Sequence, residues 1–204
     1  MRQYIILYET NIIRERERER ERQSHNNIKK YLIYILFLFI SFNANADQST
    51  IRELGDLTRV IVPAYAAGFA AREDGWEGLK QLSLGVILSQ TASEGLKKAT
   101  NKERPDYEEG DAKESFPSGH VVGVFSGASF IRRRYGWEHS IVPYGLSIFT
   151  AYSRVKSKKH YIEDVVAGAA LAEFINFLLT TEYKKDDNHL VSFDGKNLLY
   201  VYKF

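Results

Sequence analysis

Five stretches of the chain, Val60–Ala71, Leu79–Leu96, Val121–Ile131, Ile141–Tyr152 and Val165–Thr181, carry apolar residues at helical rather than alternating spacing, as with Val166, Ala170, Phe174 and Phe177. Helices so patterned must bury their stripes against one another, which predicts an all-α fold, a helical bundle. None of the five offers an uninterrupted apolar run of 18 residues, and the last carries Glu173 and Asn176 inside it. By length they read as core helices of a globular domain rather than membrane spans. Gly123 and Gly127, four apart, and the small-residue run from Ala167 to Ala170 suit close approach of helices. The C-terminus departs from this pattern: LVSF, then Asp194-Gly195, then KNLLYVYKF reads as a small β-hairpin with an Asp-Gly turn.

Residues 31–42 read YLIYILFLFISF, preceded by Lys29-Lys30 and followed by Asn43-Ala44-Asn45-Ala46-Asp47. A basic flank, a short apolar core and a small-residue site make a secretory signal peptide, with cleavage expected after Ala46 and an uncleaved anchor as the alternative. Upstream, residues 14–22 alternate strictly as RERERERER, as a GA dinucleotide repeat in the gene would encode, so residues 1–27 are expected to be a mis-set start or a leader. The domain reading is then a leader and signal peptide over 1–46 and one catalytic domain over 47–204, placed in the periplasm or at the periplasmic face of the inner membrane. Residues 1–46 hold eight of the 28 Lys/Arg and five of the 26 Asp/Glu, so 47–204 keeps 20 basic and 21 acidic side chains, a net −1. That near-balance points away from nucleic acid as a partner. The chain has no cysteine, which excludes thiolate catalysis, disulfides and Cys-type zinc sites.

Three short blocks hold the residues that chemistry on a phosphoryl group requires. The first is Lys97, six residues, then Arg104-Pro105; the second is Pro117-Ser118-Gly119-His120; the third is Ser153-Arg154, five residues, His160, three residues, Asp164. Lys97, Arg104 and Arg154 supply point-charge and forked donors for a phosphoryl group. Ser118 and Gly119 sit where a loop enters the helix near His120, so N–H groups and the helix dipole favour an anion there. Together they form an anion cage that needs no metal. His160 and Asp164, at i and i+4, would share one face of a helix. The carboxylate could then accept the imidazole Nδ1–H and leave Nε2 free as a nucleophile. His120 is left as the general acid.

Taken singly, each block has an ordinary reading, a surface contact or a helix start. All three in this order, KKATNKERP, FPSGH and SRVKSKKHYIED, make the chain resemble the type 2 phosphatidic acid phosphatase (PAP2) superfamily, which includes bacterial non-specific acid phosphatases and vanadium haloperoxidases. The resemblance implies a metal-independent phosphatase without cofactor, acting through a phosphohistidine at His160. It assigns phosphate binding to Lys97, Arg104, Ser118, Gly119 and Arg154, acid catalysis to His120 and orientation to Asp164. On the family pattern the substrate would be a lipid phosphate such as lipid A, phosphatidylglycerophosphate or a polyprenyl phosphate. The alternatives are a soluble non-specific acid phosphatase, a haloperoxidase or a non-catalytic phosphate-binding module. Six membrane spans, common in lipid-phosphate members, are not evident.

Residues outside the blocks add clues to the substrate. The acidic segment DYEEGDAKESF, between the first two blocks, reads equally as a lid or a solvated connector. Lys156, Lys158 and Lys159 could steer a polyanion into the site. Arg132-Arg133-Arg134, near the end of the helix after His120, suits either a phospholipid surface or compensation of the helix dipole.

Overall fold

The structure, a computed structural model, describes Lys30, residues 47–106, 108, 109 and 113–183, and the backbone of 189–193 and 198–202. The Arg/Glu repeat, the apolar segment 31–42 and the Asp194-Gly195 turn lie outside the described residues.

Among the described residues five helices form the bundle: α1 (Gln48–Glu73), α2 (Trp76–Thr100), α3 (Gly119–Tyr135), α4 (Trp137–Lys156) and α5 (Ile162–Leu179). Local chemistry sets their ends. Asp47 caps α1 by accepting the Thr50 N–H at 2.9 Å. Asn101 ends α2 in the left-handed region, φ 45°. Gly136, at φ 91°, separates α3 from α4 with a single residue. Such short joints at α1–α2, α3–α4 and α4–α5 force sequential helices to run antiparallel. The C-terminal backbone forms an antiparallel pair, β1 (His189–Phe193) and β2 (Leu198–Tyr202), in register from His189 opposite Tyr202 to Phe193 opposite Leu198.

Helix α3 is the axis of the bundle, touched by all four other helices. Val121, Val122, Val124, Ala128, Phe130 and Ile131 on it are fully buried, the last four against Val62, Ala66 and Ala70 of α1 and Leu82 of α2. Close approach depends on missing side chains: a Cβ at Gly127 would stand 3.3 Å from the Pro63 backbone, and one at Gly168 would stand 2.9 Å from the Ser118 carbonyl.

The stripe that announced α5 points the opposite way from the sequence expectation. Val166, Phe174 and Phe177 are each 60% exposed, and Ala170 is exposed as well. The inward face of α5 is Asp164, Val165, Gly168, Ala172 and Asn176. Periodicity reveals that one face is apolar, not which way it turns; here small and polar residues are needed inside, where α5 presses on α3. Other helices share the inversion, with Leu57, Val60 and Ile61 of α1, Leu84, Ile87 and Leu88 of α2, and Ile148 of α4 exposed. Among the described residues no helix is long and apolar enough to cross a membrane.

Candidate active site

At one end of the bundle, where α3 and α5 begin and α2 and α4 finish, a cavity of about 390 Å³ opens. Two helices each present a polar triplet to it at i, i+4, i+7: Arg52, Asp56 and Arg59 from α1, and Gln90, Glu94 and Lys97 from α2. The remaining walls are Arg104, Gly119, His120, Arg154, Lys159 and His160. Six of the eight residues read from the three blocks therefore meet in one cavity. Ser118 and Asp164 lie just behind it, both fully buried.

Arg154 is locked by three partners. Its Nε donates to Ser153 Oγ at 3.1 Å, one terminal nitrogen to Asp56 Oδ1 at 2.7 Å, and the other to the Arg52 carbonyl at 2.7 Å. This grip requires Gly55, because a Cβ there would fall 1.9 Å from Ser153 Oγ and 2.7 Å from the guanidinium. Lys97 pairs with Glu94 at 3.2 Å. Arg104 Nε and Ser118 Oγ are buried without a protein partner among the described residues, so both retain donors for an anion. The Ser118 N–H is already committed to the Asp164 carbonyl at 3.0 Å. The N–H groups at the start of α3 that can face an anion are thus those of Gly119 and His120, which have no carbonyl within the helix.

His160 is not on a helix, contrary to the i, i+4 reading. Tyr161 caps α5, its N–H bonding to Asp164 Oδ2 at 2.9 Å, and His160 lies one residue outside that cap. Its Nδ1 is 2.7 Å from the Ser115 carbonyl but 3.8 Å from Asp164 Oδ2. The imidazole therefore donates to a main-chain carbonyl instead of making the direct carboxylate bond expected. Asp164 acts one step removed, accepting from Ser115 Oγ and from Lys102 Nζ at 2.7 Å. Lys102 also reaches Glu163 at 2.8 Å and stands 4.5 Å above the Tyr161 ring. His120 Nε2 is 3.0 Å from Asp56 Oδ1.

Asp56, Ser115 and Lys102 were missed by the sequence reading. Asp56 sits in a helix without motif, 98 residues from the arginine it holds. Ser115 is the last residue but one of the acidic segment read as lid or connector. Near the start of that segment, Asp106 pairs with Lys159 of the cavity wall.

A model of the PAP2 superfamily matches residues 78–186 of the chain, more than half its length and inclusive of all three blocks. The chain belongs to the PAP2 superfamily. Relatives of this PAP2 phosphatase include the Lipid A 4'-phosphatase of Helicobacter pylori, 32% identical over 142 residues, or 66% of this chain and 71% of that one. The Lipid A 1-phosphatase of Porphyromonas gingivalis is 31% identical over 116 residues, 54% of this chain but only 25% of the longer relative. The crystal structure of Aquifex aeolicus LpxE shares the fold, with a TM-score of 0.56 at 22% identity over 70% of this chain and 91% of that one.

Electrostatics set the protonation of this PAP2 site. Burial pushes the His160 imidazole down to about 4, with Arg104 adding to the effect and the Ser115 carbonyl opposing it. Burial also lowers His120 to about 4, helped by Arg154 and Arg59 and opposed by Asp56. Both rings are neutral at pH 7, and their tautomers follow from their partners. A carbonyl only accepts, so His160 carries its proton on Nδ1 and a lone pair on Nε2. An ionised carboxylate only accepts, so His120 carries its proton on Nε2. Burial tends to raise the Asp164 carboxyl, yet bonds from Lys102, Ser115 and the Tyr161 N–H outweigh that and hold it below the usual range.

Proposed function

We propose that the protein removes phosphate from a lipid-linked phosphate ester through a phosphohistidine at His160. The Nε2 lone pair attacks phosphorus as the bond to the leaving oxygen breaks. Lys97, Arg104 and Arg154 hold the equatorial oxygens, with Gly119 and Ser118 completing the cradle. The incoming phosphate dianion favours the imidazolium form of His120, which gives a proton to the leaving oxygen, is left as the neutral imidazole, and then takes a proton from the water that cleaves the N–P bond, freeing phosphate. Asp164 fixes Ser115, and through it the nucleophile. The observation carrying this reading is the His160 Nδ1 contact to Ser115, which leaves Nε2 as the free base in a cavity walled by cations.

The lipid substrate is supported by the two relatives named as lipid A phosphatases and by the outward apolar faces of α1, α2, α4 and α5. A large outward apolar surface marks contact with a membrane or a partner. Among the described residues the cavity lining holds no large apolar side chain, which suits a headgroup whose acyl chains stay in the bilayer. The expected signal segment supports the periplasmic side for the reaction. His160→Ala should reduce phosphate release from lipid A, phosphatidylglycerophosphate or a polyprenyl phosphate by about 10⁴-fold or more, the loss typical of a removed nucleophile. Wild-type activity should persist in EDTA. Turnover retained by the variant would refute the nucleophile, and a preference for small soluble esters would refute the lipid substrate.

A further inference from the structure

The cavity holds more positive charge than one phosphoryl group neutralises. Among the described residues six cationic side chains face it against the carboxylates of Asp56 and Glu94, and Asp106 covers Lys159 from outside, leaving +3 with both histidines neutral. A phosphate monoester carries about −2 at neutral pH, so roughly one positive charge stays uncompensated. Without Arg52 and Arg59 the cavity would hold +1 and no surplus. They lie outside the three blocks, have no ion-pair partner among the described residues, and project from one face of α1 into the cavity.

Their position says which part of a substrate they would meet. Arg52 and Arg59 bracket Asp56, whose carboxylate touches His120. On the phosphatase reading, on which this inference rests, His120 protonates the leaving oxygen and His160 attacks from the opposite side. The two guanidiniums therefore stand on the leaving-group side.

We propose that Arg52 and Arg59 form a second anion subsite for the leaving group, so that the preferred substrate bears a second phosphoryl group a few bonds from the phosphorus attacked. Diphosphates and headgroups pairing a terminal phosphate with an internal phosphodiester belong to this class; a lipid with a single phosphate does not. Guanidinium suits the role because it offers paired donors to phosphate oxygens.

The test compares phosphatidylglycerophosphate, with two phosphoryl groups, and phosphatidic acid, with one, in uncharged detergent micelles. The wild type should favour the former in kcat/KM. Arg52→Gln/Arg59→Gln should lower kcat/KM for phosphatidylglycerophosphate by about 10- to 100-fold, mainly through KM, since charge-assisted hydrogen bonds are lost. For phosphatidic acid the loss should be about threefold or less. Each single variant should give part of the effect, with a melting temperature matching the wild type as the check on folding. Equal losses on both substrates would reduce the arginines to general steering, and equal wild-type rates or no loss would also overturn the subsite. Release of phosphate from neither substrate by the wild type would instead count against the lipid phosphatase reading.

Discussion

A carbonyl in place of a carboxylate at His160 Nδ1 changes what Asp164 contributes. The imidazole proton is directed by the main chain, while Asp164 secures the segment bearing that carbonyl and caps α5 at the same time. Two neutral histidines, His160 buried and His120 half-buried, also give stability a defined pH dependence. In the unfolded chain each takes up a proton near pH 6.5, but in the fold each resists until about pH 4. Between these values the unfolded state binds more protons, so stability falls as pH drops from 6.5 towards 4 and is fully present above 6.5. Each histidine is expected to contribute up to about 3 kcal/mol to that loss. Urea midpoints at pH 7 and pH 4.5 measure it, and the His120→Gln/His160→Gln variant should flatten the curve; an equally steep fall in that variant would assign it to carboxylates. At this scale the motif residues were legible because short covalent spacings carry them. Asp56 and Ser115 were not, since nothing local marks an aspartate in a helix or a serine in an acidic loop as a partner of histidine.

Among the helices, α1 is the element whose importance to the site is least visible in sequence. It brings Asp56 to His120 and Arg154, and Gly55 lets it close on α4. Alanine is normally the better helix former by about 1 kcal/mol, so Gly55→Ala in a free helix would stabilise. Here the methyl group collides with Ser153 Oγ and Arg154, and the sign should reverse to a loss of about 1–3 kcal/mol. Because Arg154 lies in the cavity, kcat/KM should fall at least tenfold as well. A variant as stable and active as the wild type would mean the α1–α4 contact can yield. The existence of the helices was legible from apolar spacing, but the start of α5 was not. A helix over 160–164 satisfies the spacing of His160 and Asp164, yet the Tyr161 N–H to Asp164 bond starts α5 two residues later.

Over the whole molecule, chemistry gathers at one end and a second polar cluster at the other. There Arg134 reaches Asp74, Gln81 and Thr181, while Arg132 bonds Tyr144 and Glu173. Both arginines thus tie helices together, and Arg133 lies 4.4 Å over the Phe177 ring. Between the two ends the bundle presents apolar flanks. Phe174, Phe177 and Leu178 are about 60% exposed, so replacing all three with Ser should cost little stability while weakening binding to phospholipid vesicles by tenfold or more. Phe130→Ala, at a fully buried position, should by contrast cost about 3–5 kcal/mol. Vesicle flotation and thermal melts separate the two effects; unchanged flotation of the triple variant would deny those flanks a role at the bilayer.

The salt bridge from Asp56 to Arg154 also bears on where this enzyme can be cut. The family-model match begins at residue 78, whereas the wall that holds His120 and Arg154 is built from residues 52–59. A fragment trimmed to that match would keep every signature residue and still lose Asp56, the Arg52 carbonyl and the Val62, Ala66 and Ala70 packing beneath α3. For expression, chimera building or mutational scanning, residues 52–70 therefore belong with the three blocks.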